Sequence, residues 1–259
     1  MYLTRFRVNT TRTGARRLLS SRQVLHAAVM SSFPTLLPTD QPTPDAPRVL
    51  WRLDHNAPAE VLLYLVSPQP PDLTHFVEQA GWPTAVVDGP GWQTRSYTPL
   101  LDRLNAGDRW AFRLTANPVH DIRRTPDEPR KRTAHLTPHH QMGWLLDTGR
   151  QERGGFRILE KPKDKRLLPQ GTTHQRREHH GDRYEVAVHD QRSLTFDKSR
   201  TAGTRRGKPV TLLTATFDGR LEVTDPHLMR RTLTQGLGKA KAYGCGLMTL
   251  APLPHQATP

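Results

Sequence analysis

Strand–helix–strand–strand–helix–strand, read once over residues 1–105 and again over 106–259, predicts an α+β fold of two tandem ferredoxin-like domains with a basic hairpin inserted in the second. Three observations carry that reading. Each half opens on a β-type alternation, Tyr2 to Asn9 and Arg109 to Leu114. Helical segments with recognisable start and stop signals lie between the strands. A lysine- and arginine-rich stretch over 190–208 interrupts the strands of the second half.

In the first half, Tyr2 to Asn9 is the opening strand. Thr10 to Pro34 reads as two consecutive helices, with Ser20-Ser21-Arg22-Gln23 at capping-box spacing, Ser20 as the cap and Gln23 three residues on. In the second of these helices Val24, Leu25, Ala28 and Val29 make an apolar face, and Gln23, His26 and Met30 share another. Residues 34–47 hold five prolines and read as loop. Arg48 to Leu53 and Glu60 to Val66 are strands, with Asn56-Ala57-Pro58 as the turn between them. Asp72 caps a short helix to Ala80, Thr84 to Val87 is the closing strand, and residues 88–107, rich in turn formers, read as a linker.

In the second half, Arg109 to Leu114 is a strand and the basic, proline-containing residues 118–138 a loop. Thr137-Pro138, a cap followed by a first-turn proline, opens a helix to about Gly149. Gly155 to Glu160 is a strand and 161–182 an exposed loop. Tyr184 to Val188 and Val210 to Phe217 are strands, Asp218-Gly219 a tight turn, and Leu221-Glu222-Val223 follows it. Asp225 then caps a helix with Pro226 in its first position and Gly236 just past its end. Leu247 to Ala251 is a short buried strand.

The charge balance narrows the partner. Lys plus Arg number 38 against 24 Asp plus Glu, a formal net charge of +14, which is the footprint of a protein that meets a polyanion such as nucleic acid. The single cysteine, Cys245, excludes an intrachain disulfide and cysteine-based zinc modules. No apolar run approaches the roughly 20 residues of a membrane span, and the N-terminus lacks signal-peptide shape. A soluble, cytoplasmic protein with no membrane partner is the expectation.

The stretch with the most chemical content is Gly236-Leu237-Gly238-Lys239-Ala240-Lys241-Ala242-Tyr243-Gly244-Cys245-Gly246-Leu247. Glycines permit positive φ and close approach of backbone to a partner, consecutive N–H groups of such a loop can cradle an anion, and Lys239 and Lys241 add positive charge. The loop follows a helix instead of a strand and contains no Gly-x-x-x-x-Gly-Lys-Ser/Thr, so it is neither a Walker loop nor a dinucleotide fingerprint, and no nucleotide cofactor is expected. The pairs His139-His140 and His179-His180 have no carboxylate at ligand spacing, and no metal site is expected. His26 differs, because it sits on a helix beside an apolar face, and histidine can both take and give a proton near neutral pH. No Lys/Arg-Gly-Phe-type signature supports base stacking on either sheet.

Six blocks in order carry a resemblance. They are Met1 to Arg5 with Val8-Asn9, the Leu25-His26 helix, Trp110 to Pro118, Gly154 to Leu159, Phe217 to Val223, and Gly236 to Leu247. Together they resemble the CasE family, the CRISPR repeat-processing endoribonucleases of type I-E Cascade, nearly end to end. The resemblance implies two ferredoxin-like domains and metal-independent cleavage of a CRISPR repeat RNA hairpin at its 3′ base by the 2′-hydroxyl. It also implies that the product crRNA stays bound and that other Cascade subunits are partners. By position, His26 matches the family's catalytic histidine. Several members carry a tyrosine three residues before it; this chain has Gln23, which cannot exchange a proton but can hydrogen-bond a phosphate oxygen. Gly236, Gly238, Lys239, Lys241, Gly244 and Gly246 fall in the family's glycine-rich signature near the RNA. Lys198, Arg200, Arg205, Arg206 and Lys208 fall in the insertion that grips the RNA stem through its backbone. A non-catalytic hairpin-binding subunit is the alternative that Gln23 leaves open.

Overall fold

The computed structural model describes residues 1–34, 48–83, 89–123, 128–166, 180–196 and 209–253. The first half contains β1 (Tyr2–Val8), α1 (Thr13–Ser20), α2 (Arg22–Met30), β2 (Leu50–Ala57), β3 (Glu60–Ser67), α3 (Thr74–Ala80) and β4 (Trp92–Ser96). The strands form an antiparallel sheet in the order β2-β3-β1-β4. Period-2 alternation in β1 buries Thr4, Phe6 and Val8 and exposes Arg5 and Arg7. Phe6 meets Phe76 of α3 edge-on at 5.7 Å, and the same core takes Leu18, Leu25 and Val29 from α1 and α2.

Among the described residues the sheet closes on β4; residues 84–87, expected to form the closing strand, lie outside them. Trp92 to Ser96 pairs with β1, placing Trp92 opposite Phe6 and joining the Thr4 and Thr94 hydroxyls at 2.9 Å. A polar, half-exposed strand at a sheet edge leaves little hydrophobic pattern to read. The predicted linker is also structured beyond it. Tyr97 enters a short α4 (Thr98–Asp102), and Tyr97, Leu101 and Leu104 are buried in the core of the second half.

The second half contains β5 (Arg109–Ala116), β6 (Val119–Ile122), β7 (Lys131–Ala134), α5 (Pro138–Leu146), α6 (Thr148–Gly154), β8 (Phe156–Ile158), α7 (His180–Arg183), β9 (Val186–Phe196), β10 (Val210–Val223), α8 (Pro226–Gln235) and β11 (Met248–Pro252). The order β11-β5-β10-β8 repeats the arrangement of the first sheet, again antiparallel. The early part of β10 pairs instead with β9, from Val210 opposite Phe196 to Gly219 opposite Val186. Thr137 caps α5 through His140 N, as its position before Pro138 predicts.

Two expectations fail here. Residues 118–138 contain the β6–β7 hairpin. Asp218-Gly219 is not a turn: β10 runs straight through it, with Asp218 opposite Arg113 and Gly219 opposite Phe112. The glycine serves close strand approach, since a Cβ there would lie 2.3 Å from the Glu185 carbonyl oxygen. Asp218 faces its cross-strand partner and accepts from Arg113 Nε and Nη2, both at 2.7 Å.

The halves are joined by buried contacts. Leu50 of β2 and Val66 of β3 belong to the core of the second half, while Trp51 and Leu53 face the first. Arg52, 2 % exposed, donates across the seam to the carbonyls of Arg113 (2.9 Å) and Leu247 (3.0 Å).

Candidate functional site

Asp225 accepts from His227 N (2.8 Å) and Leu228 N (3.0 Å), Pro226 begins α8, and Gly236 ends it at φ 77°. The glycine-rich loop that follows is fixed at both ends: Leu237 N donates to the Gly246 carbonyl at 2.9 Å, and Gly246 N to the Thr115 carbonyl at 2.7 Å. Ala240 at φ 60° opens a 3-10 turn, Lys241–Tyr243, and Gly244 at φ 81° closes it. Gly244 is required twice, by its positive φ and because a Cβ would sit 2.6 Å from the Trp51 ring. The turn therefore rests on β2 beside α2.

His26 projects from α2 toward this turn. Leu25 and Val29 bury the helix's apolar face, His26 is half-buried, and Val24, predicted for that face, is 39 % exposed. The imidazole meets the Tyr243 ring edge-on, centroids 6.4 Å apart and planes at 66°. Its Nδ1 is buried without a hydrogen-bond partner, which leaves Nε2 as the nitrogen to meet a ligand. Burial holds its pKa below the ordinary histidine value, so the neutral form dominates at pH 7. Gln23 lies one turn earlier. The capping box does not form: Ser21 is the N-cap of α2, and its side chain makes no cap bond.

Two residues that sequence reasoning passed over complete the cluster. Arg22 is four residues before His26, hence on the same helix face, and its guanidinium lies 5.6 Å from the Trp51 ring centre. Burial lowers its pKa, and its Nη1 is buried without a partner. Tyr243 stands between His26 and Phe196, 4.7 Å from the latter's ring. The spacing of Arg22 from His26 and the tyrosine inside the glycine loop were the available signals. Cys245 behind them is fully buried, its thiol pushed up to about 12, so it remains a neutral thiol.

Beside the loop a cleft of about 710 Å³ is lined by Trp144, Arg150, Arg153, Arg231, Gly236, Gly238, Lys239 and Lys241. Lys239 is exposed; Lys241 is half-buried, and burial with Arg48 and Arg231 nearby lowers its pKa. The cleft is thus continuous with the basic turn that faces His26. On its far side the imidazoles of His120 and His135 stack at 4.3 Å and those of His139 and His180 at 4.4 Å. Among the described residues no group of three or more His, Cys, Asp or Glu is arranged to hold a metal ion. Lys198, Arg200, Arg205, Arg206 and Lys208 lie outside the described residues, between Phe196 at the end of β9 and Val210 at the start of β10. No helix among the described residues is long and apolar enough to cross a membrane.

Comparison with known proteins bears out the family resemblance. The family model for CRISPR associated protein matches residues 1–252. The CRISPR-associated endoribonuclease Cse3 of Thermus thermophilus is 30 % identical over 253 residues, 97 % of this chain and 100 % of that protein. Among solved structures, a CRISPR endoribonuclease Cse3 bound to 19 nt RNA superposes with a TM-score of 0.68 at 28 % identity, covering 97 % of this chain and 100 % of that one. Thermus thermophilus Cse3 bound to an RNA representing a pre-cleavage complex gives 0.67 at 26 % identity, covering 97 % and 98 %. The chain belongs to the CRISPR associated protein family, among proteins of the Cse3 (CasE) type.

Proposed function

We propose that this protein is an endoribonuclease that cuts CRISPR repeat RNA at the base of its hairpin and then holds the crRNA as a subunit of Cascade. The observation that carries the reading is the meeting of a half-buried, neutral histidine with a lysine-bearing glycine loop, in a chain aligned over nearly its whole length with an endoribonuclease. In this reading the two sheets of order β2-β3-β1-β4 and β11-β5-β10-β8 are ferredoxin-like domains, divided near residue 105. The site lies where they meet.

The mechanism uses the RNA's own 2′-hydroxyl as nucleophile, so no metal is needed to generate one. His26 Nε2, neutral at pH 7, accepts the 2′-hydroxyl proton as the oxygen attacks the adjacent phosphorus. The P–O5′ bond breaks, leaving a 2′,3′-cyclic phosphate; the departing 5′-oxygen takes a proton from water to become a 5′-hydroxyl, and the proton held by His26 returns to water. Lys239 and Lys241, with the partly buried Arg22 guanidinium beside His26, offset the charge that grows on the phosphate oxygens. Gln23 can orient the phosphate by hydrogen bonding but cannot exchange the proton. The basic hairpin with Lys198, Arg200, Arg205, Arg206 and Lys208 grips the stem by its phosphates, and Gly236, Gly238, Gly244 and Gly246 let RNA backbone come close to the loop.

Labelled repeat RNA incubated in EDTA tests this. Cleavage with EDTA present, and none when the nucleotide 5′ of the cut is 2′-deoxy, is the expected result. Cleavage of the 2′-deoxy substrate overturns the mechanism. Binding without cleavage overturns the activity and favours a hairpin-holding subunit, the reading that Gln23 would suit.

A further inference from the structure

A histidine that moves protons is usually held in one orientation by a hydrogen bond to its second nitrogen. Among the described residues His26 has no such bond: its Nδ1 is buried without a hydrogen-bond partner. Its orientation has to come from packing. The aromatic contact recorded for its ring is with Tyr243, edge to face at 6.4 Å.

Tyr243 is itself tightly placed. Its backbone N–H donates to the Ala240 carbonyl at 2.9 Å, inside a turn bounded by two left-handed residues, Ala240 and Gly244. Its other side lies 4.7 Å from the Phe196 ring, tilted by 56°. Phe196 is the last residue of β9 and packs with Leu212 and Cys245 in a small core of its own. Phe196, Tyr243 and His26 thus form a chain of ring contacts from the end of β9 to the imidazole.

We propose that Tyr243 is the positioning residue for His26, acting through its ring, and that Phe196, packed on Tyr243, holds that ring in place. The inference rests on the endoribonuclease reading above. Tyr243 substitutes functionally for a hydrogen-bonding orienter that the described residues do not supply. The contact is edge-to-face packing and not proton exchange, so a phenylalanine serves in its place. Misplacing a reacting group by about 1 Å can cost on the order of 100-fold in rate, enough to make the loss of one packing ring visible.

Single-turnover cleavage of repeat hairpin RNA, together with its binding affinity, separates the roles. Tyr243→Ala and Tyr243→Leu are expected to slow cleavage at least about tenfold with affinity held within about threefold, and Tyr243→Phe to keep most of the parental rate. Phe196→Ala is expected to slow cleavage in the same way from the far end of the ring contacts. The acidic limb of the pH–rate profile should also move upward in Tyr243→Leu, because water reaching the ring raises the His26 pKa toward its ordinary value. Parental rate in Tyr243→Leu overturns the proposal, as does loss of rate in Tyr243→Phe equal to that in Tyr243→Ala, which would make the phenol hydroxyl the working group. Parental rate in Phe196→Ala overturns the part given to Phe196 in holding Tyr243. NMR titration of the His26 imidazole, assigned with His26→Asn, needs no cleavage at all: an unchanged midpoint in folded Tyr243→Leu overturns the positioning role even if the parent protein proves to be only a binder.

Discussion

Arg52 and Asp54, two residues apart on β2 and therefore on the same face of the strand, form a two-pronged ion pair, Nε to Oδ1 at 2.6 Å and Nη2 to Oδ2 at 2.9 Å, in which both side chains are buried. Arg52 spends its remaining donors on the second half, at the Arg113 and Leu247 carbonyls and at the Thr249 hydroxyl (2.9 Å). Asp54 also lies 3.5 Å from Arg113 Nη1. Removing the carboxylate would strand a buried guanidinium at the seam. Asp54→Ala is expected to lower unfolding free energy by about 3–5 kcal/mol, and the double replacement Arg52→Met with Asp54→Leu by less than the sum of the two single changes. Denaturant unfolding of the four proteins checks this.

The glycine loop makes a second prediction. Gly244→Val puts a branched side chain at φ 81° and against Trp51. About 2–4 kcal/mol of stability should be lost from strain and overpacking together. Thermal unfolding measures it, and a fully stable Gly244→Val protein would mean that the turn does not rest on β2.

His55, beside the cluster at the end of β2, is pushed down to about 4 by burial first and then by Arg192. A group whose folded pKa is below its unfolded value of about 6.5 has no effect on stability above that pH, and costs stability as pH falls from about 6.5 to 4, where the unfolded chain takes the proton first. With the ring partly exposed, the loss is discounted to about 1–2 kcal/mol. His55→Gln should flatten the fall in melting temperature between pH 7 and pH 4.5 relative to the parent.

The hairpin residues give a fourth. Arg205→Ala with Arg206→Ala should weaken RNA binding and reduce the slope of log affinity against log salt by about two phosphate contacts. An unchanged slope would take those arginines out of the interface.

How far the sequence could be read follows from where its patterns are strong. β1 and β5 carry hydrophobic alternation, β3 carries a continuous apolar run, and α8 carries a cap, a first-turn proline and a terminal glycine, so all four were legible. β4 was not, because Trp92 to Ser96 is a polar edge strand that takes its register from Thr4 and Phe6 across the sheet. Asp218-Gly219 misled for a different reason: turn chemistry and close strand packing both select glycine, and only the Glu185 carbonyl opposite decides between them. Of the site, His26 and the glycine loop could be named from position and composition. Arg22 was within reach of His26 by its four-residue spacing on α2, but Tyr243 could not be joined to His26, because that contact runs from α2 to the turn before β11.

His26→Ala is the most direct measurement of the account. Single-turnover cleavage of repeat hairpin RNA in EDTA should fall at least about 100-fold, while hairpin affinity changes little, because the proposed mechanism has the imidazole act on one phosphate and gives the grip on the RNA to other residues. Cleavage by His26→Ala at the parental rate would contradict the account and move the chemistry to another residue.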